Sequence, residues 1–196
     1  MSVIKSWPGC KLLMQMFGRP KGILGRLGGA IMARVNRDAA AHVIDVLDLR
    51  PNDRILEVGF GPGEEIELLL LRVPDGSVAG VDQSQEMVRQ AAAGNAEALR
   101  SRRVELRYGS VERLPFADTT FDKALAINSM QAWPDARAGL REIWRVLKGG
   151  GGVTLGFTVN SGQPNQGVAE SLGAVGFTQA RIMDGPQLFC ATAVKL

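Results

Sequence analysis

Short apolar runs alternate along this chain with longer amphipathic stretches, and the alternation predicts the elements. Ile23, Leu27, Ile31 and Val35 recur at helical spacing, so two helices are expected first, over Lys21–Asn36 and Arg37–Leu49. A strand follows at Arg54–Val58, then a helix from Pro62 to Leu71. A second strand covers Val78–Val81 and leads into a helix from Ser84 to about Leu99. Strands three and four are expected at Val104–Tyr108 and Lys123–Ile127. A helix over Asp135–Leu147 precedes strand five at Gly152–Thr158. The remainder reads as a short helix, Gln166–Val175, and two strands, Gln179–Met183 and Leu188–Val194.

Strands that alternate with helices argue for a parallel sheet covered on both faces. The last two strands have no room for a crossover helix between them, so they are expected as an antiparallel hairpin at the sheet edge. The fold class is therefore α/β: one domain with a Rossmann-like, seven-stranded, mostly parallel sheet, preceded by a helical N-terminal cap. Right-handed crossovers put a ligand site at the carboxyl ends of strands one, two and four.

Composition changes this picture little. A chain of 196 residues, 45% hydrophobic, is enough for one well-buried domain and short for two. Cys10 and Cys190 show no metal or redox spacing and read as reduced thiols of a cytoplasmic protein. The longest aliphatic run, Leu68–Leu71, is far short of a membrane span. No signal peptide, repeat or low-complexity tract is apparent.

Charge changes it more. Residues 1–37 carry seven Lys or Arg and no Asp or Glu, against 16 basic and 20 acidic residues in the remainder. Residues 1–36 are accordingly expected to form a basic cap or lid, with the main domain over 37–196. Such a basic, apolar segment can lie on an anionic lipid surface. It can equally form a lid over an anionic acceptor, or simply be a solvated face.

The candidate chemistry begins at Ile55-Leu56-Glu57-Val58-Gly59-Phe60-Gly61-Pro62-Gly63. A buried strand ending in an acid and running into glycines at every second position reads as a sharp turn into a helix. Glycine permits positive φ and lets a ligand approach bare backbone. The spacing fails the dinucleotide pattern Gly-x-Gly-x-x-Gly, whose last position here is Glu64. A carboxylate at that turn would repel a pyrophosphate, so the loop suits a ligand without phosphate. A generic strand–glycine–helix turn is the plainer alternative. Asp82 ends the second strand, where an acid can accept two hydrogen bonds from a ribose diol or merely open the next helix.

Further on come Tyr108-Gly109-Ser110-Val111, the run Phe121-Asp122-Lys123-Ala124-Leu125-Ala126-Ile127-Asn128, then Trp133-Pro134-Asp135 and the stop Leu147-Lys148-Gly149-Gly150-Gly151. With these four motifs in order, the stretch from Arg37 to Val159 resembles the class I S-adenosylmethionine-dependent methyltransferases. It is most similar to their small-molecule branch, the ubiquinone/menaquinone methyltransferases. The resemblance implies that Gly59, Phe60, Gly61 and Gly63 wrap the methionine part of S-adenosylmethionine, with Glu57 holding the loop and the cofactor's amino end. Asp82 would grip the ribose, and Gln83 would lie near the adenine. Val111 falls where a backbone N–H meets that ring, and Ser110 stands where relatives often carry an Asp. Asn128 would offer its carbonyl to the methionine amino group, and Trp133, Gln131 and Met130 fall where the acceptor pocket is built. Plain packing is the alternative for those three.

Methyl transfer from a sulfonium is an in-line displacement that needs positioning more than acid–base work. Relatives often carry histidines before the Trp-Pro-Asp segment; this chain has Gln131 and Ala132 there. Its one histidine, His42, lies in the second helix, so no histidine base is expected. The nucleophile would arrive competent or be activated by Asp135, Tyr108 or water. The acceptor is expected to be a small amphipathic or anionic molecule: a lipid head group, a quinone precursor or a secondary metabolite. Nucleic acid is disfavoured, because the main domain is acidic and no Asn-Pro-Pro-Tyr-like motif follows strand four. A protein substrate, or a cofactor-binding protein without catalysis, remains the other class. No metal site is expected.

Overall fold

The computed structural model describes residues 37–185 and 187–196; the cap expected at residues 1–36, and the helix expected over Lys21–Asn36, lie outside them. Helix α1 occupies residues 37–46, shorter than expected because Asp48 turns left-handed at φ 52°. It leads into β1 (Arg54–Val58), α2 (Glu64–Arg72) and β2 (Ser77–Asp82). Two helices, α3 (Gln85–Gly94) and α4 (Ala96–Arg100), precede β3 (Val104–Tyr108). After β4 (Phe121–Ile127) come α5 (Ala136–Val146) and β5 (Leu147–Thr158), then α6 (Val168–Ala174), β6 (Thr178–Asp184) and β7 (Leu188–Val194).

The strands form one seven-stranded sheet in the order β3-β2-β1-β4-β5-β7-β6. The first five are parallel, and β7 runs antiparallel to both β5 and β6. The chain moves from β1 outward through β2 to β3, then returns to β4 on the other side of β1. That reversal opens a crevice at the carboxyl ends of β1 and β4, where open α/β sheets bind ligands.

Period-two alternation divides the strands between two cores. Leu56, Val58, Ala124, Ala126, Leu155 and Phe157 face one side, packed with Leu140 and Ile143 of α5. Ile55, Val78 and Leu125 face the other, packed with Val43 and Ile44 of α1 and Ile66 and Leu69 of α2. Helices therefore cover both faces. Each buried Val, Leu, Ile or Phe side chain stabilises the fold by about 1.5–3 kcal/mol.

Several boundaries differ from expectation, and three show why. The helix expected over Ser84–Leu99 breaks at Asn95, whose side chain donates to the carbonyls of Ala91 at 3.0 Å and Gly63 at 3.4 Å. Asn95 thus ends α3 and ties it to the glycine loop. Strand β4 starts two residues early, and β5 starts at Leu147, opposite Phe121, with the glycine run forming a bulge before Gly152 pairs with Lys123. Lys195 seals this corner. Its backbone exchanges hydrogen bonds with Gly150 and Gly151, and its Nζ donates to the carbonyls of Leu147 at 2.6 Å and Trp144 at 2.8 Å. The helix stop is thus capped by a cation, as the carbonyl end of a helix favours.

Candidate active site

The turn after β1 has all three glycines in the left-handed region, at φ 76° for Gly59, 54° for Gly61 and 89° for Gly63. The outer two are also held by packing. A Cβ on Gly59 would lie 2.2 Å from Ser129 Oγ, and one on Gly63 would lie 2.7 Å from Ala91 Cβ. A Cβ on Gly61 would meet none of the described residues within 4 Å, so among them the middle glycine leaves the backbone bare. Phe60 differs from expectation: its side chain is buried in the α1–α2 core, directly against Gly80. Only its backbone belongs to the loop, because the alternation that turns the glycines out turns Phe60 in.

Asp82 is tied to that loop. Its Oδ2 accepts from the Gly61 N–H at 3.0 Å and its Oδ1 from the Ser84 N–H at 2.8 Å. A carboxylate has about four lone-pair directions, so each oxygen keeps one for a ligand. Ser84 caps α3, its Oγ accepting from the Met87 N–H.

Glu57 is the anomaly of the site. It is only 2% exposed, and its Oε2 has no hydrogen-bond partner among the described residues. Burial, then the nearby charges of Glu65 and Asp82, hold its carboxyl well above the ordinary range. Burial also raises Glu65. A buried acceptor without a partner is unfavourable by about 1–3 kcal/mol, and a cationic hydrogen-bond donor bound beside it would remove that penalty.

One cleft gathers most of the expected residues. Asp82, Gln83, Ser110 and Val111 line one part, and Gly59, Asn128 and Trp133 the rest. Ser110 caps the short turn Val111–Arg113, its Oγ accepting from the Glu112 N–H at 3.2 Å. Asn128 is left-handed at φ 47°, fixed by its Oδ1, which accepts from the Thr158 N–H and hydroxyl at 2.9 and 3.2 Å. Its carbonyl accepts from Gln131 Nε2 at 2.8 Å.

Other expected residues fall elsewhere: of the stretch from Glu57 to Gly63, Gly59 lines the cleft, while Glu57, Gly61 and Gly63 do not. Met130 is buried in the α5–α6 core, so packing accounts for it. Gln131 is exposed and acts on Asn128, outside the lining. Asp135 caps α5 by accepting from the Ala138 N–H at 3.0 Å, Tyr108 is exposed, and His42 is exposed on α1. None of these three lines the cleft.

Two residues went unread. Ser129 lines the cleft and accepts from Trp133 Nε1 at 2.8 Å. Arg145 on α5 anchors the loop after β3, donating to the carbonyls of Leu114 at 3.1 Å and Phe116 at 2.9 Å and to Asp118 at 2.7 Å. Glu142 completes that anchor by accepting from Arg145 and from the Leu114 N–H. The Arg145 hydrogen bond pulls the Glu142 carboxyl below its ordinary range. Arg141 and Arg145 look alike in the sequence, and helical phase alone does not tell which one turns toward that loop.

A methyltransferase-domain family model matches residues 55–151. The uncharacterized methyltransferase YdaC of Bacillus subtilis is 32% identical over 181 residues, covering 86% of this chain and 98% of the relative. The chain belongs to the class I S-adenosylmethionine-dependent methyltransferases. Another relative is the ubiquinone/menaquinone biosynthesis C-methyltransferase UbiE of Geotalea daltonii, 31% identical over 122 residues; the match covers 62% of this chain and 52% of that protein. In fold, the chain is similar to a crystal structure of a SAM-dependent methyltransferase from Aquifex aeolicus. The TM-score is 0.73 at 21% identity, over 80% of this chain and 89% of the other.

The residues present fit the methyltransferase cofactor. The unpaired oxygen of Glu57 suits its ammonium group, the spare lone pairs of Asp82 suit a ribose diol, and the bare backbone at Gly61 permits close approach. Among the described residues no helix is long and apolar enough to cross a membrane.

Proposed function

We propose that this methyltransferase acts on a small amphipathic or anionic acceptor, with quinone precursors first among lipid head groups and secondary metabolites. The observation carrying this reading is that Asp82 is the one titratable side chain among the described residues lining the cleft, and it is already bonded to Gly61 and Ser84. A nucleophile that needs a strong base is poorly served there. An electron-rich ring or an ionised oxygen needs only placement. Ala132, Trp133 and Pro134 give the cleft an apolar wall suited to a ring or chain, and the Geotalea relative is named for quinone synthesis.

Bound S-adenosylmethionine supplies an activated methyl group on a sulfonium. The chain's own part is to hold and orient. Asp82 and the glycine loop grip one side of the cleft, and Arg145, through the loop it anchors, keeps Val111 in place. Trp133 presents a flat face and excludes water. Alignment of this kind is worth up to about 7–11 kcal/mol of barrier in favourable cases. The basic segment at residues 1–37 supports an anionic acceptor or an anionic lipid surface as partner.

Incubation with methyl-labelled cofactor and parallel pools of hydroquinones, lipid head groups, secondary metabolites, RNA and protein tests the reading. Label is expected in a hydroquinone or another small amphipathic acceptor. Label confined to RNA or protein, or binding without any turnover, would overturn it.

A further inference from the structure

The turn after β4 commits nearly all of its polar atoms. The Asn128 side chain is bonded by Thr158, and the Asn128 carbonyl is bonded by Gln131. Ser129 Oγ accepts from Trp133 Nε1 at 2.8 Å. An indole N–H donates and never accepts, so the polarity of that bond has one direction, and the hydroxyl of Ser129 still has its own hydrogen to give. No acceptor for it occurs among the described residues, although Ser129 lines the cleft. The indole is held firmly in this pose, since a Cβ on Gly139 would come within 2.8 Å of Trp133 Cε3. Ser129 Oγ lies directly over the first glycine of the loop, 2.2 Å from where a Cβ on Gly59 would be.

Ser129 Oγ keeps one lone pair, but its hydrogen is the group without a partner among the described residues, and a bound acceptor satisfies it. The methionine part of the cofactor ends in two groups of opposite polarity: an ammonium that only donates and a carboxylate that only accepts. The buried Glu57 Oε2 is an acceptor and suits the ammonium. We infer that the Ser129 hydroxyl, with one lone pair taken by the Trp133 indole, donates its free hydrogen to the carboxylate of the cofactor's methionine moiety. Glu57 and Ser129 then sort the two ends of the amino acid, and Trp133 acts on the cofactor as well as forming a wall. The inference concerns the cofactor and is independent of which acceptor is methylated.

The test is calorimetry with the full chain and two ligands: S-adenosylhomocysteine, and its decarboxylated analogue, in which hydrogen replaces the carboxylate. A hydrogen bond to a charged group corresponds to about ten- to hundredfold in affinity. Ser129→Ala is expected to weaken S-adenosylhomocysteine by that factor while changing the analogue by less than about threefold, because only one ligand carries the partner. Wild-type protein should prefer S-adenosylhomocysteine, and the variant should lose that preference. Ser129→Ala also frees the Trp133 indole, but any loss from a loosened indole falls on both ligands alike. An equal loss for both ligands, or no loss for S-adenosylhomocysteine, would overturn the assignment.

Discussion

The Gly61 N–H donates to Asp82 Oδ2 at 3.0 Å, so the acid at the end of β2 and the glycine loop after β1 form one mechanical unit. Asp82 therefore acts on a ligand twice, by its own lone pairs and by shaping the loop. Asp82→Ala is expected to weaken S-adenosylhomocysteine at least tenfold, since two hydroxyls and the Gly61 N–H all lose a charged acceptor. Asp82→Asn should also bind weakly, because an amide nitrogen turned toward either N–H offers a donor to a donor. Calorimetry on both variants checks this; unchanged affinity in the Ala variant would remove Asp82 from the site.

Glu57 makes the free protein sensitive to pH. Its folded-state pKa is raised by burial and by the charges of Glu65 and Asp82, so the folded state binds its proton more tightly than the unfolded chain does. Below the ordinary carboxylate range both states are protonated and Glu57 carries no ionisation penalty. As pH rises through that range the unfolded chain ionises first, and stability falls until the raised folded value is passed. Glu57→Gln is expected to melt above wild type at about pH 8 and level with it at about pH 4, while binding S-adenosylhomocysteine more weakly. Thermal melts across that range decide it.

Gly59 and Gly61 should separate by position. Gly61→Ala introduces a side chain that meets none of the described residues, at φ 54°, a strain of about 1–2 kcal/mol. Gly59→Ala adds to similar strain a collision with Ser129 Oγ and should lose more stability. Gly61→Val should abolish S-adenosylmethionine binding, because a branched side chain resists positive φ and covers the backbone. Urea unfolding of the free proteins, followed by ligand titration, measures both effects.

Arg145→Lys should loosen the loop after β3 without touching the cleft. A lysine cannot reproduce the planar fork that reaches the Leu114 and Phe116 carbonyls, Asp118 and Glu142 together. The expected loss is about 1–3 kcal/mol of stability, with a several-fold weaker affinity for adenosine ligands. Amide exchange across residues 111–118 should accelerate. Unchanged exchange there would mean that the loop holds itself.

The architecture was legible in the sequence because a parallel sheet writes its strands as apolar runs and closes each with turn chemistry. The glycine loop and Asp82 stood out for the same reason: their residue types answer to backbone geometry. What stayed hidden depends on side-chain direction across distant segments. Phe60 sits between two glycines of the loop and points into the core. Met130 and Ser129 are adjacent in the turn after β4, yet one is buried in the core and the other lines the cleft. Asn95, which ends α3, also donates to Gly63, 32 residues earlier in the chain, a tie that no local helical pattern contains.

The position of β7 between β5 and β6 has a consequence for biosynthesis. A ribosome delivers β5, then β6, then β7, but β6 pairs with β7 alone and has no place in the sheet until β7 emerges. The free edge of β5 therefore stays unpaired until Val159–Gln187 and then β7 have followed it out of the ribosome. Unpaired edges of this kind are where nascent chains meet one another. Rapid passage of the ribosome through that stretch, or a chaperone waiting on the β5 edge, would protect the yield of folded enzyme without altering a single contact in it.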